Sequence, residues 1–223
     1  SMQRHRLYDE DTLVIRLGRF GTAVASEMKS LGYRVHAIEE RARLAERHHR
    51  RFEHVLALDA TDQEELAQAK PEMFRIAVVA IGSSVEASLL TAGNLVDAGV
   101  PSIWAKAVSD EHARILERIG VHHVVFPEAD SGRRVAHLVN DTLHDYIEFD
   151  DGYAIVKMTP PTEMLDKTLT ESQVRSRYGV TVVGVKEPGE DFHTAVPGTM
   201  VGRHHSIIVS GPVTAIERLA SRP

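Results

Sequence analysis

Arg16-Leu17-Gly18-Arg19-Phe20-Gly21 is the run whose residue types and spacing can do chemistry. It closes an apolar, β-rich stretch at residues 12–17 and opens a helical pattern reaching Leu31, with Gly32 placed as a helix-ending glycine. At such a junction the first helical N–H groups lack internal partners and the dipole favours negative charge, so the turn suits a phosphate. Gly18 lets the backbone approach that phosphate, and Gly21 lets the helix pack on the strand. The pattern G-x-G-x-x-G is met only in its second and third glycines. Arg16 holds the first position, where a side chain either crowds a pyrophosphate or adds a contact to it.

Downstream residues fit the same chemistry. Glu39 ends the second β-rich run, at the interval a ribose-binding acid keeps from a glycine turn. A 2′-phosphate would meet its like charge, which disfavours NADP despite Arg41 and Arg43. Asp59, Ala60 and Thr61 end the third run, where an adenine edge would lie. Other features have plainer readings. The pairs His48-His49, His122-His123 and His204-His205 are adjacent residues whose side chains diverge, and no H-E-x-x-H spacing exists, so no zinc site is expected. The basic run at residues 41–51 reads as a solvated helix face.

The elements that must position these residues alternate. Strand-like runs at residues 12–17, 34–38, 54–58, 76–81, 102–106 and 123–126 are separated by helical patterns, with Ser84 and Ser109 placed as N-caps. This alternation predicts a doubly wound parallel sheet with right-handed crossovers. After Pro127 the pattern changes. Val135, Leu138, Val139, Leu143 and Ile147 form a helical stripe, predicting one helix over residues 128–147. Beyond the turn signal Asp150-Asp151-Gly152, strands are expected at 153–158, 180–186 and 206–210, a helix around 170–177 and another from Pro212. The expected organisation is a nucleotide-binding domain at 1–127, a crossover helix and linker at 128–150, and a smaller α+β subdomain at 151–223.

Bulk properties exclude several classes. The 223 residues are 43% apolar and 26% charged, an ordinary globular composition. Net charge is −6, against a phosphate-backbone binder, and no nucleic-acid partner is expected. With no cysteine there is no disulfide or thiolate chemistry. The longest apolar run, 76–81, falls far short of the roughly 20 residues a spanning helix needs, so no membrane insertion is expected. No charged-then-apolar leader opens the chain, Ser1 reads as an addition ahead of a natural start at Met2, and the cytoplasm is the expected location.

One family shares these residues in order. Val14-Ile15, Leu17-Gly18-Arg19-Phe20-Gly21, Glu39, Asp59-Ala60-Thr61, Ala80-Ile81-Gly82, Ala87-Ser88, Ile103-Trp104, Lys106-Ala107, Ile119-Gly120 and Pro127-Glu128 closely resemble the KtrA/TrkA regulatory subunits of Ktr and Trk potassium uptake systems, built of RCK (KTN) domains. Leu169, Val174, Arg175, Tyr178-Gly179, Val182, Gly184-Val185, Gly202 and Ile207-Ile208-Val209 resemble the C-terminal RCK subdomain. The resemblance implies a Rossmann-like fold in a homodimer that assembles into an octameric ring under a membrane potassium-translocating subunit. It implies ATP or ADP, or NAD or NADH, at the N-terminal site, with ring shape following the nucleotide. By it, residues 18–21 cradle phosphates, Arg19 reaches the terminal phosphate of ATP across the dimer, Glu39 holds the ribose, and Asp59, Ala60 and Thr61 face adenine. Arg16, Arg41, Ile81 and Gly82 belong to the same pocket, with Lys106 and His112 at its far side. Glu128 resembles the family's carboxylate for a divalent cation. Gln173, Val174, Arg175 and Tyr178 resemble the stretch that takes cyclic di-AMP, with Gln173 in place of the commoner Asn. Arg203 replaces the usual acid after Gly202.

Two other functions compete. A nicotinamide-dependent oxidoreductase would need a catalytic group and a substrate domain, and the unit after residue 150 shows no His/Lys/Tyr constellation facing a nicotinamide. A ligand-binding module of a transcription regulator would need a helix-turn-helix or basic patch, and neither is legible. The expectation is a regulator, not an enzyme.

Overall fold

The structure, a computed structural model, describes residues 11–221; Ser1 and Met2 lie outside the described residues. Strands β1 (Asp11–Ile15), β2 (Arg34–Ile38), β3 (His54–Leu56), β4 (Ile76–Val79), β5 (Ser102–Lys106) and β6 (His123–Val125) form a parallel sheet in the order β3-β2-β1-β4-β5-β6. Helices α1 (Arg19–Leu31), α2 (Ala42–His48), α3 (Gln63–Ala67), α4 (Val85–Asp97) and α5 (Asp110–Ile119) connect them. In β1, residues 12–15 are all buried, because a parallel sheet covered by helices leaves neither face wet. Leu13 and Ile15 pack into one core with Leu95, Ile103 and Leu116; Val14 joins Ala25, Val35 and Phe52 in a second core. This is the doubly wound α/β fold expected, with the chain reversing direction across the sheet between β1 and β4.

The caps fall where the sequence places them. The Oγ of Ser84 accepts from Ala87 N–H at 3.1 Å, and that of Ser109 from His112 N–H at 3.1 Å. Gly32, at φ 102, ends α1 in the left-handed conformation open to glycine. Several elements are shorter than their apolar runs: β3 stops at Leu56, β4 at Val79 and α2 at His48.

The chain divides into two units between Glu128 and Ala129. The single helix expected over residues 128–147 is not present. Instead α6 (Pro127–Leu138) ends, Asp141 takes φ 63, and Leu143–Phe149 forms strand β7. Strand β7 pairs antiparallel with β8 (Tyr153–Met158) across the Asp150-Asp151-Gly152 turn. The helical spacing misled because the apolar residues of that stripe do not share one buried face: Leu143 turns inward, whereas Val135, Val139 and Ile147 are 57%, 70% and 54% exposed. The second unit continues with β9 (Lys167–Thr168), α7 (Leu169–Ser172), α8 (Val174–Tyr178), β10 (Thr181–Lys186), β11 (His193–Thr194), β12 (Met200–Val201), β13 (Ser206–Pro212) and α9 (Val213–Ala220). Its main sheet runs β11-β10-β13-β8-β7. The helix expected around 170–177 is two short helices, broken where Gln173 adopts φ 52.

Candidate nucleotide-binding site

All six parallel strands end on one edge, so the residues following β1 to β5 converge there. The turn after β1 is built on two backbone demands. Arg16 adopts φ 81, the left-handed region, and its N–H donates to Ile38 O at 2.8 Å. Its carbonyl oxygen then lies where a Cβ on Gly21 would sit, 1.9 Å away, so only glycine fits at 21. Gly18 precedes α1 with no side-chain cap, no acid occupies the first turn, and a Cβ at Gly18 would meet nothing within 4 Å. The N–H groups of the first turn are therefore left for an anion, and the turn fits a phosphate.

Glu39 is 1% exposed, and its carboxylate is fully engaged. Its Oε1 accepts from Leu17 N–H at 3.2 Å and its Oε2 from Arg41 N–H at 2.9 Å, with the Arg41 guanidinium at 3.2 Å. Burial pushes the carboxyl up, but the Arg41 guanidinium and the two backbone N–H groups outweigh it and hold the group below its ordinary value. As placed, Glu39 braces the phosphate turn and carries Arg41. Arg41, Arg19 and Arg51 line an open groove of about 640 Å³ beside Gly18. The basic run read as a solvated face thus supplies two of three cations along it.

A second hollow opens at the ends of β1 to β4, lined by Arg16, Glu40, Asp59, Ala60, Thr61 and Ile81, and by Thr91 of α4. Asp59 folds onto its own loop: its Oδ1 accepts from Thr61 N–H at 3.0 Å and Thr61 O–H at 2.7 Å. Asn94 pins that loop from α4, its Nδ2 donating to the carbonyls of Ala60 and Thr61 at 3.0 Å each. Glu40, Thr91, Asn94 and Arg51 were missed in the sequence. For two of them a signal existed, since Ala87, Thr91 and Asn94 share one helical face at i, i+4, i+7.

At the far rim, Lys106 lies along Gly82, where an added Cβ would come within 2.5 Å of its Cε. Its Nζ sits 5.8 Å from the Phe20 ring centroid and donates to Glu128 Oε1 at 2.7 Å. That hydrogen bond holds the Glu128 carboxyl below its usual range. Glu128 was expected to hold a divalent cation. A single carboxylate held by an ammonium does not fit one, and among the described residues no group of three or more His, Asp or Glu is arranged for a metal ion. His112 also differs from expectation. It is 2% exposed, its Nδ1 accepts from Val108 N–H at 3.1 Å, and its Nε2 meets Ser88 Oγ at 2.9 Å. Both ring nitrogens are committed, Nδ1 to the loop before α5 and Nε2 to α4, and burial lowers the pKa.

In the second unit, Gln173, Val174 and Arg175 line a groove of about 430 Å³ with Val182 and Pro197. Tyr178 does not line it: it is 6% exposed, packed in the core, with its hydroxyl donating to Glu163.

Sheet order, glycine turn and switch-point crevice define a Rossmann-type α/β domain. The TrkA-N domain family matches residues 12–127, and the chain belongs to that family. It is 30% identical over 210 residues to the Ktr system potassium uptake protein C of Bacillus subtilis (strain 168), covering 94% of this chain and 95% of that protein. It is 31% identical over 208 residues to the Ktr system potassium uptake protein A of Vibrio alginolyticus, covering 92% and 93%. Among solved structures, the GsuK channel bound to NAD superposes with a TM-score of 0.66 at 18% identity over 97% of this chain, which spans only 40% of that channel chain. That likeness speaks to the fold. No helix among the described residues is long and apolar enough to cross a membrane.

Proposed function

We propose that the chain is a nucleotide-sensing regulatory subunit of a potassium uptake system and not an enzyme. The observation that carries this is the uncapped start of α1, presented by the Gly18–Gly21 turn, in a chain alike to Ktr potassium uptake proteins along nearly its whole length. The ligand is an adenine nucleotide, ATP or ADP, or NAD or NADH, with phosphates over Gly18 and Arg19 and the base toward Asp59, Ala60 and Thr61. Arg19, exposed beside the groove, is the residue that reads a terminal phosphate. The groove at Gln173, Val174 and Arg175 has the volume of a small-ligand site and takes cyclic di-AMP in this reading. The subunit works in the cytoplasm as a homodimer within an octameric ring whose shape follows the nucleotide, beneath a membrane potassium-translocating partner. Val135 on α6 and Val139 just past its end, 57% and 70% exposed, favour such assembly. Calorimetry with ATP, ADP, NAD, NADH and cyclic di-AMP, alongside co-purification with a membrane potassium transporter, tests the reading. Absence of binding by all five sinks it.

A further inference from the structure

Arg16 stands at a backbone position that glycine occupies without strain and an L side chain rarely adopts, at φ 81. Its side chain is only 18% exposed. From the end of β1 the guanidinium turns toward the end of β2, where Nη2 donates to Glu40 Oε1 at 3.1 Å. Both residues line the hollow at the ends of β1 to β4, and its volume is about 20 Å³. Such a space holds roughly one water molecule and no purine. Behind the pair, the Oγ1 of Thr91 is completely buried and has no hydrogen-bond partner. A buried hydroxyl without a partner is costly, and Thr91 is among the residues lining the hollow.

We propose that the Arg16–Glu40 ion pair is a latch over the base pocket, and that a ligand opens it by drawing the guanidinium away from Glu40 with its phosphates. The Glu40 side chain is 45% exposed, so the pair is a weakly held one that a competing anion can divide. A phosphate offers the guanidinium two oxygens in the fork geometry that a carboxylate also offers, with more charge. Arg16 is therefore a specificity-determining residue. Every ligand must part the latch, but only one rich in phosphate charge regains the guanidinium. The site then prefers ATP and ADP to NAD, whose pyrophosphate carries less charge, and rejects adenosine. This inference rests on the adenine-nucleotide reading of the N-terminal site.

The test is calorimetry with ADP, ATP, NAD and adenosine on the wild type, Arg16→Gly and Glu40→Gln. Arg16→Gly removes latch and cation together: NAD affinity should rise at least tenfold, and the ATP-over-NAD preference should shrink by at least tenfold. Glu40→Gln releases the guanidinium but keeps it: ATP and ADP should bind several-fold tighter, with the preference over NAD kept or enlarged. An ATP-to-NAD affinity ratio unchanged in Arg16→Gly overturns the latch while leaving the nucleotide reading standing. Tighter ATP binding in Arg16→Gly than in Glu40→Gln also overturns it, because Arg16 would then be only an obstruction. If none of the three proteins binds any of the four compounds, the nucleotide reading falls and the latch with it.

Discussion

Gly21 has no room for a side chain, since its missing Cβ would stand 1.9 Å from the carbonyl oxygen of Arg16 and 3.0 Å from Ala80 Cβ. Gly21→Ala should therefore push α1 off β1 and cost about 1–3 kcal/mol, the range for overpacked sites. Denaturant titration checks this, and an unchanged midpoint would show that the turn yields. Glu39→Ala acts differently. It orphans the Leu17 N–H and frees Arg41, so nucleotide affinity should fall by roughly 1.5–3 kcal/mol, the worth of a hydrogen bond to a charged group. Calorimetry on that variant decides the matter; equal affinity removes Glu39 from the site. The turn was legible in the sequence because backbone geometry leaves glycine no substitute at position 21. The carboxylates were less legible. Whether Glu39 faces a ribose or braces its own turn depends on Leu17 and Arg41, and Asp59 is spent on Thr61. Sequence order alone does not say which partner a carboxylate takes.

Helices α4 and α5 are joined through His112, whose neutral ring accepts from Val108 N–H and meets Ser88 Oγ. Its pKa is lowered from the ordinary 6.5 by burial. His36 is lowered too, by burial and then by the stacked ring of His54, 4.4 Å away. For a base depressed in the folded state, the unfolded chain binds the extra proton first. Stability from these residues is present above pH 6.5 and lost as pH falls from there toward the folded values. The free energy of unfolding measured between about pH 5 and 7 should slope upward with pH in the wild type, and the slope should flatten in His112→Gln. A flat wild-type profile would contradict the burial argument. Elements with one strong local signal were readable: Ser84 and Ser109 cap helices as their spacing predicts. Ser109→Ala should cost about 1 kcal/mol by thermal unfolding. The β7 strand was not readable, because Leu143 and Ile147 keep the spacing of a helix face although the strand buries the first and exposes the second.

The first unit and the second hold separate cores, one set on the two faces of the parallel sheet and one beneath the antiparallel sheet. The glycine turn belongs to the first. ADP at a hundredfold excess over its Kd should add about 2.7 kcal/mol to the first unit's unfolding transition and leave the second unit's unmoved. Hydrogen exchange resolved by segment reads both at once, and equal protection of both units would mean that they unfold as one. Light scattering should give a dimer or larger species, and a strict monomer at every concentration would remove the ring. The strand order has a consequence of another kind, for a chain leaving the ribosome. Strand β2 emerges to find β1 already waiting, β3 finds β2, β5 finds β4 and β6 finds β5. Only β4 must turn back, to pair Ile76 with Thr12 on the far side of the first strand made. The nascent sheet thus grows outward from β1 in both directions, changing edges once, between the emergence of β3 and that of β4. At about 5–20 residues per second, that interval lasts only seconds.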